Sequence, residues 1–224
     1  MTSFISDLNS TDPKDPLHKW RRLTLIVRAN PKELTTHTQR IMLAMDIHLQ
    51  PYLSGALQDF FITLKTTGRP IKEKMFNLTS PLLNVSNRAY FRQWLKEGTD
   101  NNLDCIGYPG ATLISDTCQK VHIDNDEEDE ATILEAFLNK NYDNPIDKAR
   151  YCVAYGNIEE GQKLLELQIL STQKKQPLVE QELLGFYYYS QNKEALEAMT
   201  QSLLKADRPL SENWKKIQSI AKEW

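Results

Sequence analysis

Cys105, Cys118 and His122 stand in a C-x12-C-x3-H spacing, where soft metal ligands crowd together in this chain. A structural zinc takes four thiolate or imidazole ligands, usually as two close pairs. Three candidates with no C-x2-C pair fall short of that, so the cysteines read as thiols; a Cys105–Cys118 disulfide would need an oxidising compartment. Downstream, Asp124-Asn125-Asp126-Glu127-Glu128-Asp129-Glu130 gathers six carboxylates. General acid–base chemistry needs carboxylates held in a cleft with shifted pKa values, and a continuous run is solvated instead. The run also lacks the central glycine and terminal glutamate spacing of a calcium loop. The four histidines (His18, His37, His48, His122) are scattered, the first two on polar helix faces and His48 continuing an apolar register. No Ser-His-Asp order, nucleophile elbow, Walker loop or Gly-x-Gly-x-x-Gly is present. These residue types predict no enzyme, no metal and no cofactor.

Two further groups of side chains suit binding rather than reaction. Lys19, Arg21, Arg22, Arg28, Lys32 and Arg40 make the first two predicted helices basic. A phosphate backbone would favour such a stripe, but the residues fall on more than one face and no regular aromatic interleaving is evident. A solvated face, or a dock for an acidic segment, is the simpler reading, and the chain's own 124–130 run is a candidate for that dock. The second group is Phe186-Tyr187-Tyr188-Tyr189. Four consecutive aromatics on a helix point in every direction, so they cannot all face one core. Aromatics are over-represented in binding hot spots, and burial against another element explains them equally well.

The elements that must position these groups are helical. Leu17, Trp20, Leu23, Ile26 and Val27 give one broad apolar face. Pro31 restarts the chain, and Leu34, Ile41, Ala44, Met45 and His48 form a second. Leu53, Ala56, Leu57, Phe60, Phe61 and Leu64 follow i, i+3, i+4, i+7, i+8, i+11, a complete amphipathic register. Gly68 and Pro70 punctuate the next helix, carried by Ile71, Met75 and Leu78, and Ser86 is read as the cap of another carrying Ala89, Tyr90, Trp94 and Leu95. The sequence divides into a loose leader (1–14), an N-terminal helical domain (15–97), a connector with the acidic run (98–130) and helical repeats with a capping helix (131–224). Ala111 to Ser115 and Val121 to Ile123 have mild strand character, so a small β-hairpin is one reading of the connector. The fold class is all-α, built of antiparallel helical hairpins. In the C-terminal half Asn144-Pro145, Gln176-Pro177 and Arg208-Pro209 each open a helix, and Cys152 falls on a core face.

Within that half, Tyr155-Gly156-Asn157-Ile158-Glu159-Glu160-Gly161 aligns without a gap on Tyr189-Ser190-Gln191-Asn192-Lys193-Glu194-Ala195, an offset of 34 residues. The same offset pairs Ala149 with Leu183, Cys152 with Phe186, Leu165 with Met199, Ile169 with Leu203 and Leu170 with Leu204. It extends to Leu183 with Ile217 and Phe186 with Ile220. Gly161 and Ala195 occupy the position where a small residue lets two helices approach, and Leu165 and Met199 the bulky one four later. On these residues, 145–224 resembles tetratricopeptide repeats, in which about 34 residues make a helical hairpin and neighbouring hairpins stack into a superhelix. The departures are Ser190 at the second turn and the lack of a terminal proline in either unit. Residues 144–171 also resemble, more faintly, the C-terminal repeat region of FimV-type pilus hub proteins. That second resemblance implies a bacterial pilus or secretion context.

What the repeat resemblance implies is a non-enzymatic interaction module, an adaptor, scaffold or chaperone-like protein holding a peptide or helix in a groove. Its candidate partner-binding residues are Tyr155, Tyr187, Tyr188 and Tyr189. The second reading is a helical nucleic-acid-binding or regulatory protein using the basic first helices. Composition is neutral between them, with a net charge of −3. Three cysteines, no basic-then-apolar start and no long apolar stretch point to the cytoplasm, with no membrane insertion.

Overall fold

A computed structural model describes residues 16–46, 49–98, 107–114, 144–172 and 174–224. Among them are ten α-helices and no strand. The N-terminal set is α1 (Pro16–Ala29), α2 (Leu34–Asp46), α3 (Gln50–Leu64), α4 (Arg69–Thr79) and α5 (Val85–Glu97). The C-terminal set is α6 (Pro145–Tyr155), α7 (Ile158–Ser171), α8 (Pro177–Ser190), α9 (Lys193–Lys205) and α10 (Glu212–Ile220). Helix starts follow local chemistry. Asn84, Asn144, Asn192 and Ser211 each place a side-chain oxygen on an otherwise unpaired first-turn amide. Gly156 ends α6 in the left-handed conformation, at φ 98°.

The apolar faces collect into two cores. The first holds Trp20, Ile41, Leu53, Leu57, Phe60, Phe61, Phe91 and Trp94 from α1–α5. The second holds Ala149, Val153, Leu165, Leu183, Phe186, Tyr187, Met199, Trp214 and Ile217 from α6–α10. Helix α1 belongs to both: Trp20 and Leu23 enter the first, Leu25 the second. Its Trp20 stacks on Tyr52 of α3 at 5.7 Å, lies under the Arg40 guanidinium of α2 at 4.5 Å, and donates its indole N–H to the Ala154 carbonyl of α6 at 3.2 Å.

The segment 107–114 is wedged between α3 and the α6–α7 turn. Its geometry corrects the strand reading of 111–114. The Thr112 and Leu113 amides donate to the Asp59 carboxylate at 2.9–3.0 Å, not to a neighbouring strand. Asp59 also accepts from Arg40 Nη1 at 2.6 Å, both side chains being fully buried, and Arg40 Nη2 donates to the Gly110 carbonyl. Burial pulls the Arg40 guanidinium below its ordinary pKa, and the adjoining Asp59 carboxylate pulls it back. Two glycines admit the segment. A Cβ on Gly55 would stand 2.2 Å from the Pro109 carbonyl oxygen, and one on Gly156 would stand 2.1 Å from that of Ala111. The Gly110 amide closes the contact by donating to the Tyr155 carbonyl at 2.8 Å.

Several sequence expectations shift. Ile71 and Leu78 do not carry the buried face of α4: they are 48% and 44% exposed, and Lys72, Met75, Phe76 and Thr79 are buried instead. Lys72 lays its aliphatic stem inside and ends over the Phe61 and Trp94 rings, its ammonium donating to the Lys65 carbonyl. Asn84, not Ser86, caps α5. Pro31 sits in the turn before α2, not in its first helical turn, and α10 begins at Glu212, past Pro209. Arg40 is buried, not solvated, and His37 is buried, not on a polar face. The leader, His48, Cys105, Cys118, His122, Val121 to Ile123, the acidic run and the helix expected at 131–139 lie outside the described residues. Among those described, no helix is long and apolar enough to cross a membrane.

Candidate functional site

Helix α1 lies against α6 and α8, and a cleft of about 30 Å³ opens where α1 meets α8. Its lining has a simple origin. His18, Arg21, Arg22 and Leu25 follow i, i+3, i+4, i+7 on α1, and Glu182, Gly185, Phe186 and Tyr189 follow the same spacing on α8. One face of each helix therefore contributes a strip, and Val153 of α6 joins the floor. Leu25, Val153 and Phe186 are buried beneath, so the floor is apolar and the rim charged. Gly185 keeps the α8 wall low, since a Cβ there would meet nothing within 4 Å.

Charge is distributed unevenly around the rim. Glu182 is held by Arg150 of α6 through two hydrogen bonds, Nε to Oε1 at 3.0 Å and Nη2 to Oε2 at 2.6 Å. That fork largely neutralises the carboxylate. On the α1 side stand Arg21 and Arg22, with the Arg22 guanidinium 5.8 Å from the Tyr189 ring centre, within cation–π range. His18 is held below its usual pKa, first by desolvation and then by the positive charge of Arg21. The α1 side of the rim thus carries two guanidinium groups, Arg21 and Arg22.

The four tyrosines separate. Tyr189 lines the cleft, and Tyr188 meets it edge-on at 5.2 Å. Tyr188 also contacts the Trp224 ring at 6.4 Å, so Tyr189, Tyr188 and Trp224 make a partly exposed aromatic ledge from the cleft to the C-terminal end. Tyr187 points the other way. It is fully buried against Trp214, its hydroxyl donating to Glu166 at 2.7 Å, and burial followed by that carboxylate drives its pKa well up. Tyr187 accordingly presents no surface to a partner. Tyr155 belongs elsewhere: it packs on the first core and tilts against Tyr151 at 5.8 Å beside Arg28, Tyr108 and Glu159.

The sequence reading missed His18, Arg21, Arg22, Glu182 and Gly185 as one group and Trp224 as an aromatic neighbour. The identical four-residue spacing on two helices was the available signal, but nothing in the sequence says that α1 and α8 touch. Other cations of the basic stripe have internal duties: Arg40 pairs with Asp59 and Arg28 with Glu159 at 2.6 Å. Among the described residues no group of three or more His, Cys, Asp and Glu side chains could hold a metal ion. No protein-family model matches the chain, and neither a curated protein nor a solved structure matches it significantly.

Proposed function

We propose that this chain is a non-enzymatic interaction module, an adaptor or scaffold in which two tetratricopeptide-like hairpins, α6–α7 and α8–α9, support a surface for a protein or peptide partner. The observation that carries this reading is the equivalence of residues 34 apart. Ala149 and Leu183, Cys152 and Phe186, Leu165 and Met199, and Ile169 and Leu203 are all buried. Leu170 and Leu204 are both exposed. At the small position of the first hairpin, a Cβ on Gly161 would come within 2.8 Å of the Ala149 carbonyl oxygen, so α7 approaches the α6 backbone closely. In the second hairpin Ala195 packs half-buried on the same core.

The inner helices of such an array, α6 and α8, are where a partner would ordinarily lie. Here α1 already covers part of both, so the partner surface is the remainder: the ledge of Tyr189, Tyr188 and Trp224. Its half-buried rings supply anchors of large area at low conformational cost. The test starts with partners recovered on the full-length chain and identified by mass spectrometry, each then made pure. Tyr188→Ala with Trp224→Ala, checked for folding by circular dichroism, is expected to weaken a direct partner at least tenfold, about 1.4 kcal/mol. Unchanged affinity for every purified partner would overturn the assignment of the ledge.

A further inference from the structure

The outer face of the α4–α5 pair serves neither core. Both helices turn their inner sides to Phe61 of α3: the Phe91 and Trp94 rings of α5 each stand 5.3 Å from it, and so does the Lys72 ammonium of α4. On α5, Val85, Ala89, Arg92 and Lys96 follow i, i+4, i+7, i+11. All four are exposed, on the side opposite the buried Asn87, Phe91 and Trp94, and Val85 is 75% exposed. On α4, Ile71, Lys74 and Leu78 follow i, i+3, i+7 and are exposed as well. Aliphatic ends and cations therefore alternate along both outer stripes. We propose that this face docks the chain on a membrane surface rich in anionic lipid, with no helix crossing the bilayer.

Charge complementarity selects the occupant. From Lys65 to Glu97 the chain has seven lysines and arginines against two glutamates, although its net charge is −3. Glu73 is paired with Arg69 at 2.8 Å, and Glu97 accepts from Gln93 at 2.9 Å. Lys72 is buried, and Arg88 leans on the Asn84 carbonyl at 3.4 Å. The side chains of Lys65, Lys74, Arg92 and Lys96 are exposed, with no hydrogen-bond or ion-pair partner among the described residues. Each such cation beside an anionic bilayer raises partitioning about fivefold. The remainder of the chain is net anionic, so the same surface repels it and the docking is oriented. Ile71, Leu78 and Val85 decide between anionic ligands. A nucleic-acid backbone gains nothing from exposed aliphatic side chains, whereas the headgroup–acyl boundary takes them up while lipid phosphates meet the neighbouring cations. Side chains that protrude from the outer sides of two helices also suit a deformable surface better than a rigid partner, whose anchors ordinarily enter pockets.

This face shares no residue with the aromatic ledge, so either can fail alone. The test is co-sedimentation of the full-length chain with vesicles of phosphatidylcholine, alone or with about 30% phosphatidylserine, at about 0.1 M salt. Partitioning is expected to be at least about tenfold stronger on the anionic vesicles. Lys74→Gln with Arg92→Gln and Lys96→Gln should weaken it by about a hundredfold, and Lys74→Arg with Lys96→Arg should retain it. Ile71→Ser with Leu78→Ser and Val85→Ser should weaken it at least about tenfold through lost apolar burial. Lys163→Gln with Lys205→Gln and Lys222→Gln removes the same charge from α7, α9 and the C-terminal end, and should leave it within about twofold. Circular dichroism checks that each variant is folded, and the charge and apolar sets each decide the matter without the other. Equal binding to both vesicle types, absence of binding to either, retention by the charge or the apolar variant, or an equal loss in the Lys163, Lys205 and Lys222 variant would each overturn the proposal. Binding of a DNA duplex that needs Lys74, Arg92 and Lys96 but not Ile71, Leu78 and Val85, in place of vesicles, would overturn it in favour of a nucleic-acid ligand.

Discussion

Asp59→Ala tests how far the fold depends on one buried carboxylate. Asp59 takes a 2.6 Å ion pair from Arg40 and accepts from the Thr112 amide and hydroxyl and the Leu113 amide, with Arg40, Asp59 and Thr112 buried and Leu113 half-buried. Removing it strands the Arg40 guanidinium, which is fully buried over the Trp20 ring. Breaking a buried pair from one side destabilises by about 3–5 kcal/mol, a large share of the roughly 5–15 kcal/mol that holds a domain together. With a urea dependence of about 2–3 kcal/mol per molar, the unfolding midpoint should fall by about 1–2 M. Arg40→Met combined with Asp59→Leu removes both charges. It should recover part of the loss but not all, because the Gly110 carbonyl and the two amides stay unmet at about 1–3 kcal/mol each. The assay is urea unfolding followed by circular dichroism, with hydrogen exchange of the Thr112 and Leu113 amides as a local report. A single variant within about 1 kcal/mol of the parent, with both amides still protected, would refute the reasoning.

Other perturbations discriminate between tight and open positions. Gly156→Ala must place a Cβ 2.1 Å from the Ala111 carbonyl oxygen at φ 98°, so it should destabilise by at least about 2 kcal/mol. Gly185→Ala meets open space inside a helix and should stabilise by about 0.5–1 kcal/mol; thermal melts of the pair measure both, and a common sign would contradict the packing. Gly161→Ala gains the same helix propensity but faces the Ala149 carbonyl at 2.8 Å, so a net loss in chemical unfolding is expected, and a gain would mean that α6 and α7 are not in close contact. The last concerns acid. His37 Nε2–H donates to the Pro31 carbonyl at 2.8 Å, while its Nδ1 is buried without a hydrogen-bond partner among the described residues. Desolvation therefore holds its pKa below the ordinary 6.5, the Pro31 hydrogen bond opposing. The unfolded chain binds that proton more readily, so stability is full above about pH 6.5 and is lost as pH falls through the folded value. His37→Gln, neutral at all pH, should flatten the decline between pH 6.5 and 5 without abolishing it, because His18 acts in the same sense. Melting temperatures across that range that decline as steeply as in the parent would exclude His37 as a contributor.

Periodic helices with strong punctuation were legible. The apolar register from Leu53 to Leu64 runs along α3, and Asn144, Gly156 and Pro177 mark helix ends as their chemistry requires. Sequence failed where a polar residue was claimed by a partner far along the chain. Arg40 and His37 look like surface residues until Asp59, Gly110 and Pro31 are placed around them, and those contacts depend on tertiary geometry that periodicity does not contain. Ile71 misled for the opposite reason: the α4 register admits two faces, and Lys72 could take the inner one only because an aromatic pair and a carbonyl receive its ammonium. The candidate site was half legible. The run Phe186-Tyr187-Tyr188-Tyr189 stood out as more aromatics than one core can absorb, but not which of them stay at the surface, and the cleft beside them needs α1, which begins some 160 residues earlier.

That long-range placement of α1 ties the two halves together. Its residues alternate in allegiance: Trp20 and Leu23 face the first core, Leu25 faces the second, and Arg28 reaches Glu159 on α7. The 107–114 segment makes a second bridge, bonded to Asp59 on one side and to Tyr155 on the other. A helix that seals two cores cannot leave either without exposing large apolar area, at roughly 25 cal/mol per Å², so α1 is a fixed wall and not a displaceable strap. Anything entering the cleft between α1 and α8 must therefore fit between fixed neighbours. Side chains at the edge of α8, and not those buried between the helices, are therefore the positions where substitution should leave the fold in place.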